Sequence, residues 1–108
     1  MLPRSRRLRA AEVREILVRG RSARSGALSA KYYASTEPLR MASVVSKKVA
    51  KSAVVRNRLR RALYRALTPL SGSGRLIVFI QRIPETPLTT AFSADLAELF
   101  KKIPELSN

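Results

Sequence analysis

The residues of this chain best suited to do chemistry are arginines that lie close together. Positions 56 to 65 hold five arginines together with Asn57. A guanidinium group is permanently charged, and its planar set of donors fits phosphate oxygens and base edges. The sequence contains no histidine and no cysteine, so it lacks the usual general base, thiol nucleophile and zinc ligands. The chemistry that this segment indicates is recognition of an anion.

These arginines belong to a predicted helix with one apolar side. If Ser52 is the N-cap and each residue turns the helix by about 100°, a single apolar stripe forms. Its members are Val55, Leu59, Ala62, Leu63 and Ala66. Every cation of the helix lies outside this stripe. We therefore expect the apolar side to dock on the protein and the arginines to face solvent.

The charge of this region favours a nucleic-acid contact. From residue 47 to residue 65 the chain carries eight cations and no acid, whereas a merely solvated helix mixes acids with bases to form i, i+4 pairs. Asn57 adds no charge, so it is predicted to hydrogen-bond a base, a 2′-hydroxyl or metal-bound water, with a filler role as the alternative. The predicted RNA-binding residues are Arg56, Asn57, Arg58, Arg60, Arg61 and Arg65, with Lys47, Lys48 and Lys51 just before the helix, near the positive end of its dipole.

The whole chain has the composition of one basic domain. Its 108 residues suit a single core, and its formal net charge is +15. Residues 1–65 hold 18 Lys or Arg and 3 acids, whereas the remainder holds 4 of each kind. A charge excess confined to one part of a chain argues for a polyanionic partner.

Nothing in the sequence predicts a membrane or secreted protein. The longest apolar run is LIVFI at 76–80, far below the roughly 20 residues that span a bilayer. No apolar segment follows the basic start of the chain, so we expect no secretory signal and a cytoplasmic location. A helix bound to an anionic membrane surface is disfavoured, because the apolar stripe is narrow and lacks Trp and Phe.

The other elements are predicted from periodicity and turn residues. Apolar spacing indicates a helix from Ala10 to Arg19, ended by Gly20 in the left-handed conformation. Residues 1–9 form a basic arm that we expect to be flexible. Residues 27–34 and 39–46 are predicted strands that could pair as a hairpin, 75–81 is a buried strand, and a last helix begins at about residue 90. The class is α/β or α+β in one RNA-binding domain, residues 1–108.

The string SVVSKKVAKSAVVRNRLRR, which contains Arg56-Asn57-Arg58, closely resembles the RNR signature of the bacterial ribonuclease P protein component. Arg7-Leu8-Arg9, Gly20, the apolar strand and the last helix agree with the same family, so the resemblance covers nearly the whole chain. It implies a single-domain α+β sandwich of order α-β-β-β-α-β-α, similar to the second domain of ribosomal protein S5. It also implies a left-handed βαβ crossover around the arginine helix, against the general right-handed rule.

The resemblance also implies a function. In this family the RNA subunit is the ribozyme, and the protein helps it to remove the 5′ leader of precursor tRNA. The expected partners are the catalytic RNA and precursor tRNA, with no membrane and no obligate protein partner. Mg²⁺ is expected to be held mainly by RNA, and the protein is expected to contribute no catalytic and no metal-binding residue. The arginine helix would then contact the ribozyme.

A second binding region is implied between the first helix and the sheet, where the family holds the single-stranded leader. The corresponding residues here are Val13, Leu17, Lys31, Tyr32 and Tyr33. Family members commonly carry aromatic residues at the first two positions, and here both are aliphatic. Tyr32 and Tyr33 could supply base stacking instead, but neighbours on a strand face opposite sides, so at most one points into the cleft.

A different class of function stays open from the residues alone. A ribosomal protein, or another structural RNA- or DNA-binding protein, could place the same basic helix in a groove. Tyr64 stands where the family usually has arginine and is followed by Arg65. The charge is thus displaced by one position, which turns it by about 100° on the helix.

Overall fold

A computed structural model describes residues 4–107, without the side chains of residues 4 and 107. After a short 3₁₀ turn at Arg4–Arg6, the elements are α1 (Ala10–Arg19), β1 (Arg21–Ser25), β2 (Leu28–Pro38), β3 (Arg40–Val45), α2 (Ala53–Leu67), β4 (Ser71–Ile80), α3 (Leu88–Lys102) and β5 (Leu106–Ser107). The α+β class and the order α-β-β-β-α-β-α are confirmed, with β5 as a short addition. Within residues 4–107, none of the helices has the length and apolar character needed to cross a bilayer.

Four strands form the sheet in the order β1-β2-β4-β3, and β5 pairs with the start of β4. β4 is antiparallel to β2 and parallel to β3. Because α2 connects the adjacent parallel strands β3 and β4, the chain contains the predicted βαβ unit, while its hand stays a prediction. The hairpin suggested for residues 27–34 and 39–46 is wrong, because β4 lies between those two strands.

The hairpin that does form joins β1 to β2, and the sequence reasoning missed its first strand. Gly26 occupies the turn with φ 53°, a left-handed conformation that glycine adopts without a steric penalty. The turn is also tied to α3, because the Ala27 N–H donates to Asp95 Oδ2 at 3.0 Å.

One face of the sheet carries the main core. Leu28, Ala30 and Tyr32 of β2 pair with Ile80, Val78 and Leu76 of β4, and paired residues project to the same side. These residues form one hydrophobic cluster with buried residues of α2 and α3. The two helices therefore cover this face together.

The opposite side of β2 and β4 is called the open face here. Its members are Ser29, Lys31, Tyr33, Arg75, Ile77 and Phe79. α1 packs across it against β2 and β4, and both Ile16 of α1, which is 1% exposed, and Ile77 of β4, which is 0% exposed, are buried. The cleft expected between the first helix and the sheet lies along this face.

Gly20 ends α1 as predicted, but in a different conformation. Its φ of −69° and ψ of 149° are extended rather than left-handed, and its N–H donates to Ile16 O at 2.8 Å. A Cβ at this position would lie 2.5 Å from the same carbonyl oxygen. Glycine is required for this close approach of the backbone and not for a positive φ.

The described part of the expected flexible arm, residues 4–9, is attached to the domain. Arg7 bridges to Met41 of β3, and the Leu8 N–H donates to Met41 O at 3.1 Å. The Arg6 guanidinium donates to Thr68 O at 3.0 Å and to Leu70 O, just after α2. Residues 4–9 are therefore held on the domain by backbone pairing and by the hydrogen bonds of Arg6, and do not form the expected flexible arm. Residues 1–3 lie outside the described part.

Candidate nucleic-acid interface

α2 docks through the apolar stripe that the sequence predicts. Ser52 is the N-cap, and its Oγ accepts a hydrogen bond from the Val55 N–H at 3.4 Å. Leu59 and Leu63 are at most 1% exposed and belong to the core cluster, together with Ala62 and Leu67. Burying two leucines in this way fixes both the position of the helix and its rotation about its axis.

The other side of α2 is an exposed row of polar side chains, called the α2 cationic face here. Its residues are Asn57, Arg58, Arg61 and Arg65, which line a shallow groove that begins at Val54. Positions spaced by three and four residues lie along one side of a helix. The ion pairs among residues 4–107 involve no cation from positions 47–65. No carboxylate of the described residues therefore neutralises this row of charge.

Arg56 and Arg60 are half-buried and have partners within the protein. Nη1 of Arg56 donates to Ala50 O at 2.9 Å and to Lys51 O at 2.8 Å. Arg56 thereby holds the loop before α2, on which Lys47, Lys48 and Lys51 are exposed. Arg60 donates to Asn57 Oδ1 at 2.9 Å, which orients the Asn57 amide so that its own N–H₂ group stays available as a donor.

Of the five residues predicted for the leader cleft, four lie on α1 or on the open face of the sheet. On α1, Val13 is half-buried and Leu17 is 43% exposed. On β2, Tyr33 belongs to the open face and lines a recess beside Ile16. Lys31 crosses the cleft, since its Nζ donates to Leu17 O at 3.1 Å near the C-terminal end of α1.

Tyr32 does not belong to this cleft, which corrects its assignment as a leader-binding residue. Its side chain lies on the opposite face of the sheet and is 1% exposed. Burial raises the pKa of its hydroxyl, which donates to Ser73 O at 2.5 Å. Of the two neighbouring tyrosines, Tyr33 is the one on the α1 side.

Sequence reasoning missed an aromatic residue of the open face. Phe79 is half-buried and lies opposite Ser29 of β2 and Val44 of β3. The segment RLIVFIQ is apolar on both sides, so its pattern does not distinguish the two faces. Strand alternation could have identified it, because residues two apart on a strand share one side and Phe79 therefore lies on the same side as Arg75.

Arg75 fixes α1 on the open face through a network that the sequence does not reveal. Its side chain is 7% exposed, and its guanidinium donates to Glu12 Oε2 at 2.5 Å, Glu37 Oε2 at 2.8 Å and Pro38 O at 3.0 Å. Burial raises the pKa of Glu12, but the Arg9 N–H and the Arg75 and Arg40 guanidiniums outweigh it, so the pKa lies below its usual value. A charged Glu12 therefore ties α1 to β4 at neutral pH.

The arrangement of the acidic side chains bears on metal binding. Within residues 4–107, no group of three or more acidic side chains is arranged to hold a metal ion.

Three solved structures of an RNase P protein from Staphylococcus aureus resemble this fold. The first has a TM-score of 0.76 at 20% identity and covers 100% of this chain and 97% of its own. The second, also at 20% identity, has a TM-score of 0.73 and covers 93% of this chain and 96% of its own. The third, a mutant with defective mRNA degradation activity, has a TM-score of 0.78 at 20% identity, covering 93% and 89%. These similarities establish the fold.

The family itself follows from the sequence match. No curated protein matches this chain. The family model described as Ribonuclease P matches residues 2–104, which is nearly the whole chain and includes both the α2 cationic face and the α1 cleft. The chain therefore belongs to the ribonuclease P protein family.

Proposed function

We propose that this protein subunit of ribonuclease P binds the catalytic RNA through the α2 cationic face and the 5′ leader of precursor tRNA through the cleft between α1 and the open face. In this arrangement the RNA subunit carries the catalytic centre, and the protein assists endonucleolytic removal of the leader. The observation that carries the proposal is the row of exposed guanidiniums on α2, which no carboxylate of the described residues neutralises.

The α2 cationic face suits a folded RNA because its charge is held at fixed spacing. Like charges at i, i+4, such as Arg61 and Arg65, destabilise a free helix by roughly 0.2–0.5 kcal/mol per pair until an anion approaches. Arginine also forms two parallel hydrogen bonds to one phosphate, which a lysine cannot do. Asn57, oriented by Arg60, adds donors for a base edge or a 2′-hydroxyl.

The cleft suits a single strand because it combines apolar, aromatic and cationic groups. Val13 and Leu17 offer apolar contact, Tyr33 offers a ring for stacking, and Lys31 offers a phosphate contact. These groups discriminate poorly between bases. A cleft of this composition fits leaders of varied sequence.

The chemistry of cleavage is assigned to the RNA. The chain has no histidine or cysteine, and Glu12 and Glu37 are engaged with Arg75. We place the Mg²⁺ mainly on the RNA subunit and the reaction in the cytoplasm. No obligate protein partner enters the scheme.

The test adds the purified protein to bacterial ribonuclease P RNA at low Mg²⁺ and follows cleavage of precursor tRNA. We expect stimulation by the wild type and a strongly reduced effect for the double variant Arg58→Ala, Arg61→Ala. Lys101→Ala is the matched control, because it removes an exposed cation of α3 that is paired with Glu98. Absence of stimulation, together with equal affinity for arbitrary duplexes, would favour a structural RNA- or DNA-binding protein instead.

A further inference from the structure

Phe79 lies in a recess of the open face that none of the predicted RNA-binding residues except Lys31 reaches. The recess lies where β1, β2 and β4 run side by side, and its polar and aromatic lining comprises Ser22, Arg24, Ser29, Lys31, Phe79 and Lys102. Phe79 is half-buried, so part of its side chain remains accessible in this recess. An accessible ring next to hydroxyls and cations is the composition of a stacking platform for single-stranded nucleic acid.

The cations of this recess are not neutralised by acids. No carboxylate lines it. The ammonium groups of Lys31 and Lys102 donate to the backbone carbonyls Leu17 O and Arg24 O, which carry no net charge. Three positive charges thus remain for an incoming anion.

The other end of the open face carries acidic as well as basic side chains. Glu12, Glu15 and Glu37, which are all the acids of the first 65 residues, line one recess there with Arg75. Paired charges of both signs offer little attraction to phosphate. The open face is therefore polarised, and an RNA backbone is drawn toward the Phe79 end.

The two rings of the open face are separated by a distance that several nucleotides can cover. Tyr33 pairs with Arg75, and Phe79 is four residues farther along β4, a separation of about 13 Å at roughly 3.3 Å per strand residue. Stacked nucleotides rise by about 3.4 Å, so the rings would contact bases no more than about four nucleotides apart.

We propose that Phe79 is a second stacking position for the precursor-tRNA leader, with Arg24, Lys31 and Lys102 contacting the flanking phosphates. This inference rests on the proposed function, because it assumes that the leader occupies the open face. It assigns to β4 the aromatic contact that the aliphatic Val13 and Leu17 of α1 do not provide.

The experiment uses the reconstituted holoenzyme and precursor tRNAs that carry 2-aminopurine at successive leader positions. Stacking quenches the fluorescence of this base, so wild type and Phe79→Tyr should quench one position that Phe79→Leu leaves bright. Phe79→Leu should also weaken leader-dependent binding by about 5- to 150-fold. Val18→Ala, at a side chain 79% exposed on α1, is the matched control and should leave both readouts unchanged.

Two further comparisons separate the possible failures. If the wild-type holoenzyme binds precursor and mature tRNA equally, the leader-binding function itself is wrong. If the wild type shows the leader-dependent gain and Phe79→Leu retains all of it, only the Phe79 assignment is overturned.

A second variant, Arg24→Gln, leaves the ring in place and should lower the salt dependence of the gain by about 0.7 in log–log slope, the contribution of one phosphate on a single strand. An unchanged slope would contradict the phosphate contact.

Discussion

At the scale of single residues, Arg75 shows how one buried charge can organise a binding cleft. Its guanidinium joins Glu12 of α1 to Glu37 and to the Pro38 carbonyl at the end of β2. A charge buried without partners would be strongly destabilising, so the pairing with Glu12 and Glu37 is what permits this position. The orientation of α1 over the open face, and hence the shape of the cleft, depends on these contacts.

Glu12→Gln tests this contact through pH. The pKa of Glu12 is lowered in the folded state from its ordinary 4.5, so its carboxylate stabilises the fold above that pH and loses this effect as the pH falls through the lowered pKa. We expect the variant to lose about 1–3 kcal/mol of unfolding free energy at pH 7. The difference should shrink as the pH falls below 4.5 and through the lowered pKa, as measured by urea unfolding at pH 7 and at an acid pH.

Glu98→Gln provides the control for that experiment. Glu98 forms an exposed pair with Lys101, and such pairs contribute about 0–1 kcal/mol. A loss in Glu12→Gln that is the same at both pH values would contradict a role for the charge.

At the scale of elements, the helices with a regular apolar period were predicted from the sequence. The strand arrangement, which depends on pairing between residues far apart in the chain, was not. The bounds of α1 and the burial of the α2 stripe follow from apolar spacing, and both are confirmed. β1 has the sequence RSARS, whose one apolar residue is Ala23, so no alternation identified it as a strand. The insertion of β4 between β2 and β3 is a contact between residues far apart in sequence, which local turn residues could not reveal.

The candidate site was predictable to a similar degree. A helical wheel is sufficient to separate the exposed arginines from Leu59 and Leu63. The choice between Tyr32 and Tyr33 required the strand register, because alternation alone does not say which face is covered by α1. Phe79 went unrecognised for the same reason.

Leu59→Ala, compared with Arg61→Ala, tests which side of α2 is buried and which side binds RNA. Leu59 is 1% exposed, and truncating a buried leucine costs about 2–5 kcal/mol of stability. Arg61→Ala, on the exposed side, should leave the unfolding free energy within about 0.5 kcal/mol while weakening RNA binding. Thermal unfolding and ribozyme titration of both variants check this, and the reverse ranking would mean that the two faces are assigned wrongly.

Gly20→Ala tests the turn between α1 and β1. The new Cβ would approach Ile16 O to 2.5 Å, which is closer than van der Waals contact allows and must displace α1 or β1. We expect a loss of about 1–3 kcal/mol and weaker leader binding. Ala11→Gly, at an exposed position of α1, controls for general helix effects and should cost about 1 kcal/mol or less. A fully stable Gly20→Ala would show that the backbone there can relax freely.

At the scale of the whole molecule, the net charge of +15 should make RNA binding depend strongly on salt. If about 6–10 phosphates are neutralised, affinity should fall by roughly 10³–10⁵ between about 50 and 200 mM monovalent salt. A filter-binding or fluorescence titration with the ribozyme measures the slope. A slope near zero would mean that the cationic surfaces are not the contact.

The clamps at the two ends of α2 have a consequence for how the protein would meet its RNA. Arg56 ties the start of the helix to the preceding loop, and Arg6, near the start of the chain, binds the carbonyls of Thr68 and Leu70 just after its end. A surface that is already ordered loses little conformational entropy on association. For the proposed complex, the protein then acts as a preorganised template, and most of the structural adjustment falls to the RNA.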